Sequence, residues 1–135
     1  MKAYFGRRYR VSASHRLHAD SLSAEANRAA YGKCNNPHGH GHNYVVEVLV
    51  GGQVDRETGM VVNLTDLDAV VKARVVERFD HRNLNDDAAF AGQVPTTENL
   101  CRVVFDLLKD DLPAGALDMV RVEETENNFF EYAGA

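Results

Sequence analysis

Strand-like patterning marks four stretches of this chain, and apolar residues recur at helical spacing along two longer ones. Residues 4 to 14 alternate, imperfectly, between apolar or aromatic and polar groups, and predict a strand that runs into His15. The clearest strand follows at residues 45 to 50. Val46, Val48 and Val50 share one face there, Val45, Glu47 and Leu49 the other, and Gly51-Gly52 is expected to break it. Leu64, Leu67, Val70, Val71, Val75 and Phe79 fall at helical spacing, with Asn63 or Thr65 as the cap. A second helix opens at Thr96-Thr97-Glu98-Asn99 and carries Leu100, Val103, Val104, Leu107 and Leu108 as one apolar stripe. Residues 117 to 124 alternate again, Asn127-Asn128 marks a tight turn, and Phe129 to Tyr132 forms a last strand.

Between these elements the chemistry is that of caps and turns. Residues 21 to 32 predict a short helix, with Ser21 or Ser23 able to cap it and Gly32 able to end it. Asp55 to Gly59 is turn chemistry. Met60-Val61-Val62 is either a short returning strand or a lead-in to the helix, and residues 80 to 85 and 86 to 95 read as loop. The order is strand, short helix, strand, helix, helix, strand, strand. That pattern predicts an α+β fold, an antiparallel sheet with two main helices packed on one face.

Composition narrows the class without naming a function. At 135 residues the chain fits one domain, 1–135, with a real core. A net charge of −5 with mixed signs argues against a nucleic-acid surface. Arg7-Arg8-Tyr9-Arg10 is the densest basic run, read as the solvated face of the first strand, with an anion-binding edge as the sharper alternative. No apolar run is long enough for a membrane helix, and Met1 to Phe5 lacks the apolar core of a signal peptide. Cys34 and Cys101 sit in unlike contexts and make no disulfide framework, so a reducing, cytoplasmic setting is expected.

Candidate chemistry concentrates in Cys34-Asn35-Asn36-Pro37-His38-Gly39-His40-Gly41-His42-Asn43-Tyr44. In an extended chain residues i and i+2 point the same way, so His40 and His42 present two imidazoles to one ion. His15, at the end of the first strand, is the best third ligand. His18 lies in a polar loop, and His38, beside Pro37, is read as a surface residue. Cys34 lies in a polar loop, where a thiol near a metal or a charged histidine has a lowered pKa and acts as base or nucleophile. Cys101 is structural, on the apolar helix. Asp80-His81 is either a helix end or a proton relay. Glu98 suits a helix N-terminus. Glu124 is either part of a solvated run or a buried carboxylate that accepts two parallel hydrogen bonds.

Together these residues resemble the 6-pyruvoyltetrahydropterin synthase family, including its relative 6-carboxytetrahydropterin synthase. The likeness rests on Ser12 to His15, Cys34 to Tyr44, Thr58-Gly59-Met60-Val61 with Asn63 to Leu67, Asp80-His81 with Asn83-Leu84, Thr96 to Asn99, and Glu124-Thr125 with Asn127-Asn128. It spans nearly the whole chain. The resemblance implies a tunnelling fold (β-β-α-α-β-β) that assembles as a homohexamer of two stacked trimers. It implies Zn2+ on His15, His40 and His42, Cys34 as base supported by Asp80 and His81, and Glu124 as pterin anchor beside Thr96, Thr97 and Glu98. The implied substrate is 7,8-dihydroneopterin triphosphate. Five residues separate Cys34 from His40, the pyruvoyl-type spacing; the carboxy type has three, which here separate Cys34 from His38. The carboxy branch, which serves deazapurine synthesis, and a non-catalytic metal- or pterin-binding relative are the competing readings.

Overall fold

The computed structural model describes residues 1–134. Its elements are β1 (Lys2–His15), α1 (Ala24–Tyr31), β2 (His40–Gln53), α2 (Leu64–Val71), a π turn (Lys72–Val76), α3 (Glu77–Phe79), β3 (Arg82–Asn83), α4 (Thr97–Leu108), β4 (Leu117–Thr125) and β5 (Asn128–Tyr132). The sheet order is β3-β1-β2-β4-β5, so β2 is the central strand. All pairings are antiparallel except β1 with β3, which touch in parallel at Ala13 and Ser14.

One face of this sheet is covered by helices. Val11 and Ala13 of β1, Tyr44, Val46, Val48 and Val50 of β2, and Val120 and Val122 of β4 are buried against Leu67, Val71, Val75, Phe79, Leu100, Val104 and Leu108. The two-residue strand period and the helical stripes thus meet in one core. The other face carries ion pairs: Glu47 binds Arg8 at 3.1 Å and Arg121 at 3.2 Å. Arg7 turns the other way, to Asp68 at 2.8 Å. The basic run of β1 is therefore neutralised at two of its three arginines. No helix among the described residues is long and apolar enough to cross a membrane.

The expected elements are present, with four differences. Gly51-Gly52 does not end β2, which runs to Gln53 and also starts earlier, at His40. Gly51 pairs with Tyr4, whose ring lies where a Cβ would stand, 2.8 Å away, so a cross-strand aromatic fills the gap the glycine leaves. The helix over 64–79 is not uniformly α. Leu67, Val71, Val75 and Phe79 recur every four residues, and an α-helix would rotate the last by about 120° from the first. The π turn holds more residues per turn and takes back much of that drift, keeping all four buried. Met60 to Val62 forms no strand; Asn63 caps α2 by accepting from Asp66 N at 3.1 Å. The polar loop after α3 contains β3 because Asp80 Oδ1 accepts from Ser12 N at 2.8 Å and His81 N donates to Ser12 O.

Caps behave as the sequence suggests. Ser23 caps α1 and Thr96 caps α4 through their hydroxyls, and Gly32, at φ 56°, ends α1. The link from β1 to α1 is held by fully buried Asn27, whose side chain bonds Ala19 N and the carbonyls of Ala19, Leu22 and Ser23.

Candidate metal centre and active site

Strand register builds the site. β1 and β2 pair His15 with His40 and Ala13 with His42, and β2 pairs Val46 with Val122 of β4. Alternation then puts His15, His40, His42 and Glu124 on the helix-covered face, at the end of the core. Each offers one ligand atom, and these four atoms lie within 4.8 Å of one another. The three rings stand edge to face, with centroids 4.7, 5.1 and 4.8 Å apart.

Hydrogen bonding fixes which ring nitrogen is available. His15 Nδ1 lies 2.8 Å from Pro95 O, and the Tyr44 hydroxyl lies 3.3 Å from the same nitrogen. A carbonyl only accepts, so Nδ1 carries the proton and Nε2 keeps its lone pair. That Nε2 stands 3.1 Å from His40 Nε2. His42 Nε2 is 3.0 Å from Glu124 Oε1 but lacks hydrogen-bond alignment, and His40 Nδ1 is also buried without a partner. Burial lowers the pKa of His15 and of His42, and Glu124 partly opposes it. Three imidazoles with converging ring nitrogens and an adjacent carboxylate suit a divalent cation. The residues therefore fit the metal that the sequence implies.

Glu124 is not part of a solvated run. Its second oxygen, Oε2, accepts from Thr97 Oγ1 at 2.9 Å, and Thr97 is buried. Its place in the histidine cluster is a feature sequence reasoning missed, because the β2–β4 register is not written in either strand alone. Tyr44 and Pro95, which orient His15, were also missed; the only signal was Tyr44's position two residues beyond His42.

Cys34 occupies a short 3-10 turn, Gly32–Asn35. Leu17 N donates to Cys34 O at 2.8 Å and Asn35 Nδ2 donates to Leu17 O at 2.7 Å, tying the turn to the end of β1. The lowered thiol pKa expected beside a metal or a charged histidine is not a property of the bare chain. Burial raises it, and the Glu124 charge raises it further. In the bare chain the charge that reaches this thiol is an anion; a cation among the histidines opposes that effect.

Asp80 and His81 do not meet Cys34 within the chain. His81 Nε2 lies 3.5 Å from Asp80 Oδ2, the imidazole is 81% exposed, and its backbone takes φ 58°. No hydrogen bond or ion pair among the described residues joins either to Cys34. Glu98 is exposed, and Thr96 serves as the α4 cap. His38 is exposed and stands outside the cluster, as expected. His18 is held by Asn35 Nδ2 at 3.0 Å. Cys101 is structural: its thiol donates to Val120 O at 3.1 Å and burial pushes its pKa up to about 12.

A central strand that brings two histidines to a third on its neighbour, with a carboxylate among them, makes a candidate metal site at the end of a helix-covered sheet. The family profile described as 6-pyruvoyl tetrahydropterin synthase matches residues 4–135, and the chain belongs to that family. It is 48% identical over 134 residues to the human 6-pyruvoyl tetrahydrobiopterin synthase, covering 98% of this chain and 92% of that one. The structure of Caenorhabditis elegans 6-pyruvoyl tetrahydropterin synthase superposes with a TM-score of 0.94 at 40% identity, covering 100% of this chain and 97% of that one. A putative 6-carboxy-5,6,7,8-tetrahydropterin synthase of Archaeoglobus fulgidus is 37% identical over 107 residues, 79% of this chain and 83% of that one. The fold is the tunnelling fold that the resemblance implied.

Proposed function

We propose that this single domain, residues 1–135, is a zinc-dependent 6-pyruvoyltetrahydropterin synthase. It converts 7,8-dihydroneopterin triphosphate to 6-pyruvoyltetrahydropterin with loss of triphosphate. The observation that carries this reading is the convergence of His15, His40 and His42 with Glu124 in a chain of this family. The pyruvoyl branch is supported by the human relative's name and by the start of β2 at His40, which leaves His38 outside the cluster and makes the longer Cys34 spacing the effective one.

His15, His40 and His42 hold the ion, which supplies Lewis acidity toward the side-chain oxygens of the substrate. Glu124, held by Thr97, accepts hydrogen bonds from the pterin ring, with Thr96 and Glu98 at the same helix end. Cys34 removes a proton from the substrate side chain, and Asp80 with His81 relays protons to and from it. One chain leaves that last pair apart from Cys34. It also leaves the outer edges of β5 and of most of β1 unpaired. A homohexamer that closes the sheets edge to edge supplies both needs, and the setting is cytoplasmic.

The carboxy alternative, which feeds deazapurine (queuosine) synthesis, is favoured by one observation, the Archaeoglobus relative. Incubation with 7,8-dihydroneopterin triphosphate separates the readings. Triphosphate and 6-pyruvoyltetrahydropterin without acetaldehyde are expected. Stoichiometric acetaldehyde assigns the carboxy branch, and no turnover by metal-loaded protein assigns a binding protein.

A further inference from the structure

A second cleft opens at the turn that carries Cys34, lined by its neighbours Lys33 and Asn35. It measures about 270 Å³, and Arg16, Arg28, Lys33 and His18 are among its lining residues. At roughly 30 Å³ per water it holds about nine waters, room for a polyanion rather than a single small ion. No carboxylate lines it.

Of the chain's 15 Lys and Arg residues, Arg7, Arg8, Arg74, Arg78, Lys109 and Arg121 are in ion pairs, and the other nine are in none among the described residues. Among the described residues no ion pair holds Arg16, Arg28 or Lys33, yet all three line one cleft. Arg16 is positioned: its Nε donates to Asn35 O at 3.2 Å, leaving the two terminal amino groups for a ligand. Arg28 stands in the last turn of α1, and Lys33 adjoins Cys34.

We propose that this cleft is the polyphosphate subsite, with Arg16, Arg28 and Lys33 as the residues that select a triphosphorylated substrate over its dephosphorylated form. This rests on the reading of the substrate as a pterin triphosphate. The pterin ring lies at Glu124 and Thr97, the reacting side chain at the histidines and Cys34, and the polyanion at the basic cleft. In the elimination the base takes a proton from carbon, and the electron pair of the breaking C–O bond leaves with the triphosphate oxygen. Fixed cations at that oxygen stabilise the charge as it develops.

The test is titration calorimetry of zinc-loaded protein with inorganic tripolyphosphate and, separately, with dephosphorylated 7,8-dihydroneopterin. Wild type is compared with Arg28→Ala, Lys33→Ala and the double variant, and with Arg28→Lys and Lys33→Arg. Each alanine should weaken tripolyphosphate binding about tenfold or more, as loss of a charge-assisted hydrogen bond does. The conservative variants should restore most of it, and added salt should weaken it. Dihydroneopterin binding should stay within about twofold, since no lost group touches the ring. Unchanged tripolyphosphate binding in the double variant overturns the subsite, as does equal weakening of both ligands, or wild-type binding of tripolyphosphate no tighter than of sulfate. Steady-state kinetics separates the two readings. If wild type turns over dihydroneopterin triphosphate and the double variant keeps its KM, the subsite fails while the activity stands. If wild type gives no turnover but tripolyphosphate binding still depends on Arg28 and Lys33, the polyanion subsite stands and the substrate assignment fails.

Discussion

Thr97→Val tests the tie between helix α4 and the carboxylate beside the histidines. Thr97 is 2% exposed, and its hydroxyl donates to Glu124 Oε2 at 2.9 Å. Valine keeps the shape and removes the donor. The α4 cap is untouched, since Thr96 supplies it. A hydrogen bond to a charged group contributes about 1.5–3 kcal/mol. If that loss falls on the reacting complex, kcat/KM drops about 10- to 150-fold. Thr97→Ser is the control. It keeps the hydroxyl and deletes one methyl, so it should lower stability by about 1 kcal/mol and leave turnover within a few-fold. The assay is kcat/KM on dihydroneopterin triphosphate, with zinc content and Tm measured on the same samples. Near-wild-type turnover in Thr97→Val refutes the reasoning. So does equal loss in Thr97→Ser, which assigns Thr97 to packing alone.

Other consequences follow from single contacts. Cys34→Ala should abolish turnover and leave zinc content at the wild-type level by elemental analysis; loss of zinc would make Cys34 a ligand instead. Gly39→Ala places a Cβ 3.0 Å from His15 O on a backbone with φ 72°. The left-handed conformation alone costs about 1–2 kcal/mol for a non-glycine residue, so Tm and zinc affinity should both fall, and a variant with unchanged zinc affinity contradicts the placement. Asp87 binds Arg78 through both oxygens, at 3.0 and 2.8 Å, and that contact holds its carboxyl below the usual range. A lowered carboxyl pKa stabilises the fold above the unfolded value of about 3.9, and the gain fades as pH falls through the native value. Asp87→Asn should therefore lose on the order of 1 kcal/mol at pH 7, after allowance for solvent screening, and less at a pH below that unfolded value. Urea titrations at both pH values check this, and an equal gap at each contradicts it.

Much of the fold is legible in the chain because its signals are local. The alternation of Val46, Val48 and Val50 and the stripe from Leu100 to Leu108 each need only their own segment. His15, His40 and His42 are legible for the same reason, since two lie at i and i+2 and the third ends a strand. What the sequence hid depends on partners far along the chain. Gly51-Gly52 reads as a breaker until Tyr4 is known to lie across from it. Two residues of β3 pair only because Asp80 and His81 bind the backbone of Ser12. Glu124 joins the histidines through the register between β2 and β4. The upward shift of the Cys34 thiol comes first from its burial and then from the Glu124 carboxylate, ninety residues further along the chain.

Zinc content tests the central claim most directly. Protein purified without chelators should carry about one zinc per chain, as expected for a three-ligand catalytic site. His40→Ala and His42→Ala, whose side chains are only partly buried, should each fall to near zero while their far-ultraviolet circular dichroism stays that of the wild type. Metal-free wild-type protein, or full zinc occupancy in both variants, would contradict the account.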